Sequence, residues 1–440
     1  MSVRETQEHG NAEARRRKGA EEAGETSAAL WLCDSALPDG FRDTPLGPLP
    51  EGWEVVRLGN LANVRYGKAK PKQEGSVPVV GSGGIYAWVP EALINFPTMT
   101  IGRKGTAGVT FLQERPFWPS DTTFYLEWKS DKADYRFVFH CLQNRPLSGE
   151  HAKTTLPSLQ KPDVENYLLP LPSLFEQRAI AHTLRTVQQA REAAERIIAA
   201  ARELKRSLMR HLFTYGPVPV SQADQVELQE TEIGPIPAHW KIARLAKVTE
   251  KPQYGYTASA TDEPVGPKFL RITDIQDGRV MWGTVPYCEV GEKDLDKYLL
   301  SPGDILIARI GATTGKTYLV TQCPESVFAS YLIRVRVRPM LIASEYLHHF
   351  TGTQIYWVQI NASKGGRLKQ GVNIPVLQSL LLPLPSLPEQ REIAHILSTV
   401  DAKIAAEEAR RAALDALFHT LLHHLMTGRV RAPGMAAQGR

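Results

Sequence analysis

Residues 169–187 read LPLPSLFEQRAIAHTLRTV, and residues 382–400 read LPLPSLPEQREIAHILSTV. Fifteen of the 19 positions are identical at a constant offset of 213, so the chain carries an internal duplication. Each copy opens a helix. Ser173 and Ser386 stand three residues ahead of Glu176 and Glu389. Ser-x-x-Glu before an apolar run is a capping box, in which each partner satisfies an orphan donor of the first turn. Pro388 falls in that turn, where its missing N–H is tolerated. Good helix formers fill the later turns. Helices are therefore predicted over 175–213 and 388–426, and their ends echo too: LMRHLFT at 208–214 against LLHHLMT at 421–427.

Apolar spacing along both helices alternates four and three. One series runs Ile180, Leu184, Val187, Arg191, Ala194, Ile198, Ala201, Lys205, Leu208, Leu212. The other runs Ile393, Leu397, Val400, Ile404, Glu407, Arg411, Leu414, Phe418, Leu421, Leu425. A repeat of 3.5 is a coiled-coil seam. Antiparallel pairing with residue numbers summing to about 605 places Arg411 opposite small Ala194. It also sets Lys205 against Val400, its charge reaching out to water. At roughly 38 residues each helix is roughly 57 Å long, a rod suited to holding things apart.

A second signal is duplicated at a different offset. DTPLGPLPEGWEVVRL at 43–58 and ETEIGPIPAHWKIARL at 230–245 share Gly47/Gly234, Pro48/Pro235, Pro50/Pro237, Trp53/Trp240, Arg57/Arg244 and Leu58/Leu245, 187 residues apart. The repeat unit is thus an entry with a Trp, a variable body, a Leu-Pro-Leu-Pro exit and a long helix. The bodies, 59–167 and 246–381, share little sequence, and the offset between the copies grows by 26 residues, from 187 to 213, across them. Identical frames around dissimilar inserts imply one scaffold carrying two versions of one job. Both bodies read as short strands between Gly, Pro and Asp turns: 77–80, 98–102 and 122–128 in the first; 269–272, 304–310, 317–320 and 331–337 in the second, with a turn at Asp277-Gly278. Each is expected to end in a small α/β region.

The organisation expected is a disordered tail (1–40), rich in Glu, Ala, Arg and Gly, a first domain (41–172), a helix (173–214) and a linker (215–229). A second domain (230–385), a second helix (386–428) and a tail (429–440) complete the chain. The fold class is α+β: two β-rich domains, each with some helix, separated by two long helices that form an antiparallel coiled coil with a pseudo-two-fold internal repeat.

Composition limits the partners. A net charge of +5 permits nucleic-acid binding without arguing for it, so basic character has to be local. Arg15–Lys18 is such a run, although a solvated cluster reads the same way. No stretch of 18 apolar residues and no basic-then-apolar leader is visible. Four scattered cysteines form no CxxC pair, which fits a reducing compartment without disulfides or a zinc knuckle.

Catalytic motifs fail on spacing. Gly311–Thr317 imitates a phosphate loop, but Ile310 stands where glycine is needed and strand resumes at Thr317 instead of helix. Gly81–Gly84 is followed by Tyr86 where GxGxxG requires glycine. GxSxG, HExxH and paired His/Cys spacings do not occur. His419 and His423, one turn apart, read as surface or seam residues. The chain is expected to bind rather than catalyse.

Basic and aromatic residues do interleave in Gly-rich loops, a composition suited to phosphate contacts beside base-edge hydrogen bonds. In the first body these are Arg65, Tyr66, Lys68, Lys70 and Lys72, then Arg103, Lys104 and Thr106, then Lys153 within Lys153-Thr154-Thr155. In the second they are Tyr254, Tyr256 and Thr257, then Arg271 and Thr273, then Arg309 and Lys316, then Lys364, Arg367, Lys369 and Gln370.

With these features the chain, from residue 41 to residue 428, resembles the specificity subunit of type I restriction–modification systems. The resemblance is carried by the two GPxP-Trp entries, the doubled LPLPSL-x-EQR-x-IAH, FLRITDIQDG at 269–278 and GDILIARIGATTGK at 303–316. Phe175 in place of Pro388 and the long leading tail depart from it. The resemblance implies a non-catalytic subunit whose two domains read the halves of a split, asymmetric DNA target in the major groove. It implies that the helices dock two methyltransferase subunits, with a restriction subunit added for cleavage. The expected docking and coiled-coil residues are Glu176, Gln177, Arg178, Ile180 and Leu184 with Glu389, Gln390, Arg391, Ile393 and Leu397. S-adenosylmethionine, ATP and Mg2+ would enter through the partners, in a prokaryotic cytoplasm. A modification-only or other phage-defence complex is an alternative within that reading. A protein–protein scaffold without DNA is one outside it.

Overall fold

The computed structural model describes residues 37–147, 158–276, 278–363 and 371–432. The chain divides into two compact units, Met1–Arg191 with Ala413–Arg440, and Glu192–Ala412. Each unit holds one body and part of each long helix.

The duplicated entry and exit pair with each other. Glu54–Arg57 runs antiparallel to Leu168–Leu171, with Leu168 opposite Arg57. Lys241–Arg244 meets Leu381–Leu384 in the same way. One residue on, the Leu58 N–H donates to the Tyr167 carbonyl and the Leu245 N–H to the Leu380 carbonyl, both at 2.8 Å. The two ends of each body are therefore clamped together, and whatever lies between them is free to vary.

The bodies share a strand order that their sequences hide. In the first, an antiparallel sheet runs Ala62–Tyr66, Thr123–Trp128, Thr98–Gly102, Thr110–Gln113. In the second the order is Gln253–Tyr254, Leu332–Val335, Ile305–Ala308, Thr317–Leu319. Each adds a parallel pair, Val77–Gly81 with Trp118–Pro119 and Lys268–Leu270 with Ser326–Phe328. The expected strand at 269–272 ends at Leu270, because Ile272–Asp274 turns into a 3-10 helix capped by Asp274. Gly278 closes the hairpin of Ile275–Gln276 and Arg279–Val280 at φ +73°, while Asp277 lies outside the described residues. The phosphate-loop imitation is a hairpin turn between two antiparallel strands.

The long helices span Leu174–Tyr215 and Leu387–Met426. The reach expected to be a plain linker contains a 3-10 turn, Val220–Gln225, and a strand, Leu228–Gln229. Antiparallel pairing of the helices is seen inside each unit. In the first, Ile180 and Leu184 join a core containing Phe418, Leu422, Leu425 and Met426, and Arg191 meets Asp415 at 3.2 Å. In the second, Leu212 and Phe213 join Ile393, Ala394 and Leu397. There Lys205 reaches Asp401 at 2.6 Å.

Three details of the expected seam are corrected. Lys205 ends on Asp401 rather than in water. Arg411 is exposed, and Leu422 is buried where Leu421 was expected to be. A straight α-helix drifts about 20° per heptad from a strict 3.5 repeat. The second helix has accordingly rotated Arg411 outward and presents its last turns to the first unit's core.

The capping boxes are split between the copies. Ser173 Oγ accepts the Glu176 N–H at 3.3 Å, but the Glu176 carboxylate turns to the Trp53 indole N–H at 3.1 Å and to Arg431 at 2.6 Å. In the second copy Glu389 takes the Ser386 N–H at 3.0 Å and its hydroxyl at 2.7 Å, and also the Trp240 indole at 3.1 Å. The entry Trp of each body is thus tied to the start of the helix that leaves it.

Candidate nucleic-acid interface

The shared strand order brings together residues far apart in sequence. Tyr66 pairs with Phe124, and Phe124 pairs with Ile101; two residues past Ile101, the Arg103 guanidinium lies over the Tyr66 ring at 5.3 Å. In the second body Tyr254 pairs with Ile333 and Ile333 with Ile307. Two residues further, Arg309 lies over Tyr254 at 4.6 Å. The cation–π pair is duplicated although the bodies around it have diverged, and such a pair fixes a long cationic side chain in one place.

Glycines make the arrangement possible. A Cβ on Gly67 would sit 2.0 Å from the Ser120 carbonyl oxygen, and one on Gly255 would sit 2.2 Å from that of Ala329. Both positions come directly after the tyrosine and allow the backbone to press against the neighbouring strand. The arginine hairpins turn through Gly105 and Gly311, at φ +78° and +82°, which a side chain would strain.

Around the first pair, Lys68, Lys70, Lys72 and Lys104 are exposed, and the Thr106 hydroxyl donates to the Ser82 carbonyl. Around the second, Lys316 and Thr257 are exposed. Tyr256 instead packs on Tyr298 at 5.2 Å. Two expected contact residues are engaged inside their domains. Arg65 is bound to Glu127 at 2.8 Å, and hydrogen bonds from Arg65 and Asn63 hold that carboxyl below its usual range. Arg271 grips Asp274 at 2.8 Å. Thr273 is exposed, and its carbonyl accepts the Gln276 amide. Lys153, Thr154, Thr155, Lys364, Arg367, Lys369 and Gln370, like Arg15–Lys18, lie outside the described residues.

A further feature escapes the sequence reading. On the edge strand Gly84–Val89, Ile85, Tyr86 and Trp88 are 57%, 56% and 51% exposed. A bulge opposite Val79 and Val80 leaves Tyr86 without a partner and turns adjacent side chains outward together. The turn before this strand carries Ser82, the residue that receives Thr106, so the aromatic edge adjoins the arginine hairpin. The signal was IYAWV after a Gly-rich turn, since its alternation is too irregular for a half-buried strand.

The helix starts need a correction. Glu176, Gln177 and Gln390 are buried. The Gln177 carbonyl oxygen accepts the Asp134 N–H at 2.8 Å while its amide donates to Lys132 and Pro172. Gln390 repeats this with Ala343, Leu341 and Pro385. Buried Ile180, Leu184, Ile393 and Leu397 join the cores in which the two helices meet, while Glu176, Gln177 and Gln390 fasten helix to body. Glu389 belongs with them. Burial acts to raise its pKa, but hydrogen bonds from His239, Ser386 and Trp240 prevail and bring it down to about 2. Arg178 and Arg391 are exposed.

Burial raises the Cys141 and Cys288 thiols, the latter to about 11, so both stay protonated and unreactive at neutral pH. Among the described residues, no three His, Cys, Asp or Glu side chains are grouped to hold a metal, and no helix is long and apolar enough to cross a membrane.

The family model described as the type I restriction modification DNA specificity domain matches the chain twice, over residues 50–201 and 237–416. The type I restriction enzyme MjaVIII specificity subunit of Methanocaldococcus jannaschii is 25% identical over 412 residues, covering 88% of this chain and 95% of that protein. The EcoBI specificity subunit of Escherichia coli is 25% identical over 376 residues, covering 78% of each. The crystal structure of the type I restriction–modification S subunit from M. genitalium superposes with a TM-score of 0.63 at 15% identity, over 89% of this chain and 98% of that one.

Proposed function

Because the chain belongs to the type I restriction–modification DNA specificity family, we propose that it reads a bipartite, asymmetric DNA target, one half-site per body. The observation that carries this is the Arg-over-Tyr pair at the same corner of both sheets. A fixed guanidinium among exposed lysines gives phosphate contacts that hold register. The diverged side chains around it then discriminate bases. The first body offers the aromatic edge Ile85, Tyr86 and Trp88 for this, suited to thymine methyl groups and stacked bases. The second offers half-exposed Ile310 and Tyr331 instead.

In this reading the chain does no chemistry. It docks two methyltransferase subunits on the duplicated helix starts, and a restriction subunit where the system cleaves. S-adenosylmethionine, ATP and Mg2+ act in those partners, in the cytoplasm, and the long helices set the gap between half-sites. The test is single-molecule methylome sequencing of the host with and without the gene. Loss of methylation at one split motif is the expected result; an unchanged methylome in a host that expresses the protein contradicts the reading. Replacing 59–167 with another family member's first body is expected to change one half-site and leave the other. A peptide-binding scaffold would bind without the steep salt dependence that released counterions give DNA binding.

A further inference from the structure

Duplicated helices raise a question of pairing, because each could pair with its own kind from a second copy of the chain. Hydrophobic burial does not prevent it. Leu208, Met209, Leu212 and Phe213 pack into the core of the second unit. Leu421, Leu422, Leu425 and Met426, each 213 positions later, pack into that of the first. All eight are apolar, so either helix end could serve either core.

The copies part at the two ion pairs between the helices. Arg191 meets Asp415 at 3.2 Å inside the first unit, and Lys205 meets Asp401 at 2.6 Å inside the second. Fourteen positions, two heptads, separate these pairs along each helix, so both belong to one antiparallel register. At the duplicated positions, 213 residues away, Ile404 and Arg202 stand for Arg191 and Asp415, and Phe418 and Gln188 stand for Lys205 and Asp401. All four positions have changed charge between the copies, and Ile404 and Phe418 are buried.

The register states what self-pairing would bring together. Two copies of the first helix would set Arg191 against Arg202 and Lys205 against Gln188, with exposed Glu195, one turn away, the nearest acid to Arg202. Two copies of the second would set Asp401 against Phe418 and Asp415 against Ile404. Like charges repel, and a carboxylate pressed on an apolar side chain loses water without gaining a partner. Only unlike helices pair all four charges.

We propose that Arg191–Asp415 and Lys205–Asp401 form a pairing code that joins the first helix to the second and excludes self-pairing of either with a second copy of the chain. Such selectivity needs a penalty on the wrong partner as well as a bond to the right one. The code stands independently of the proposed function. Where that function holds, it keeps two like bodies from being assembled into a reader of symmetrical DNA.

The test uses the full chain with a protease site in the 3-10 turn Val220–Gln225, which follows the first helix. The cut protein is unfolded in urea, refolded and weighed by native mass spectrometry. Wild type is expected to return one species, a leading half with a trailing half. The fourfold variant Arg191→Ile, Lys205→Phe, Asp401→Gln, Asp415→Arg makes the two helices alike at these positions. Both self-paired species should then form, with the mixed one falling to about half. Exchanging the charges of one pair, Lys205→Asp with Asp401→Lys, should keep the mixed species alone. Circular-dichroism melting confirms folding, and halves that do not refold after cutting are produced together in the cell and weighed in the same way. Self-paired species from wild type in amounts comparable with the mixed one overturn the code. So does a folded fourfold variant that gives the mixed species alone.

Discussion

The two bodies solve one problem with different means. Both set an arginine over a tyrosine at the corner of a four-stranded sheet with the same order, and both are closed by the same entry and exit. Around that corner the first body grows an edge strand with three exposed apolar side chains. The second grows a hairpin whose Arg279 reaches Glu408 on the long helix at 2.7 Å, and Glu408 also holds Arg202 at 2.7 Å. The comparison teaches where a chain can vary. Strand order and the clamp at the body's ends are set by backbone pairing, which tolerates almost any side chain, whereas the rim of the corner carries no packing duty.

The largest effects should fall on what the bodies share. Trp53 and Trp240 are both 2% exposed, and replacing either with alanine should cost about 3–5 kcal/mol in urea unfolding. Similar losses sharpen the equivalence of the frames; a loss at one site alone breaks it. Acid comes next and should weigh more on the second unit, which holds the two most strongly depressed histidines. Burial first, then nearby positive charge, lowers His348 to about 4 and His349 to about 3. Both stand in the second unit. A depressed histidine stabilises the fold above its ordinary value near 6.5, and that stability drains as pH falls toward the folded value. Each histidine should take about 2 kcal/mol from the second unit between pH 7 and pH 5, and His349→Gln should roughly halve the loss. Urea titration followed by hydrogen exchange, unit by unit, measures it. Arg103→Ala and Arg309→Ala should each weaken DNA binding about tenfold and lower the salt slope by about one contact, measured by fluorescence anisotropy. An effect from one arginine only would end the equivalence of the two corners. Smallest is Arg279→Ala, an exposed pair worth about 0.2–1 kcal/mol. It should leave the first half-site untouched in a methylome readout.

Much of this was legible because it is local or periodic. The caps at Ser173 and Ser386, the apolar repeat and strands such as Thr98–Gly102 announce themselves over a few residues. Antiparallel pairing of the helices came from the two series, and Tyr66, Arg103, Tyr254 and Arg309 were singled out by type. Their pairing was not visible, because Tyr66 and Arg103 meet only through Phe124 and Ile101, across two strand registers. Glu176 and Gln177 looked like surface groups of a helix start. Their real partners, Trp53 and Asp134, are supplied by segments distant in sequence. Arg411 failed for a geometric reason: a heptad series continued on paper does not know that the helix has turned.

One consequence concerns time rather than space. The second unit is a continuous stretch, Glu192–Ala412, whereas the first needs Ala413–Arg440 to join Met1–Arg191. Phe418, Leu422, Leu425 and Met426 complete its core, and Arg431 closes on Glu176. On the ribosome, the first core therefore lacks these side chains until the whole of the other body has been translated. A chain broken off before residue 413 leaves that first core open, so its sequence-reading corner would rest on an unfinished base. The order of synthesis makes the fold its own check that translation has run past both readers.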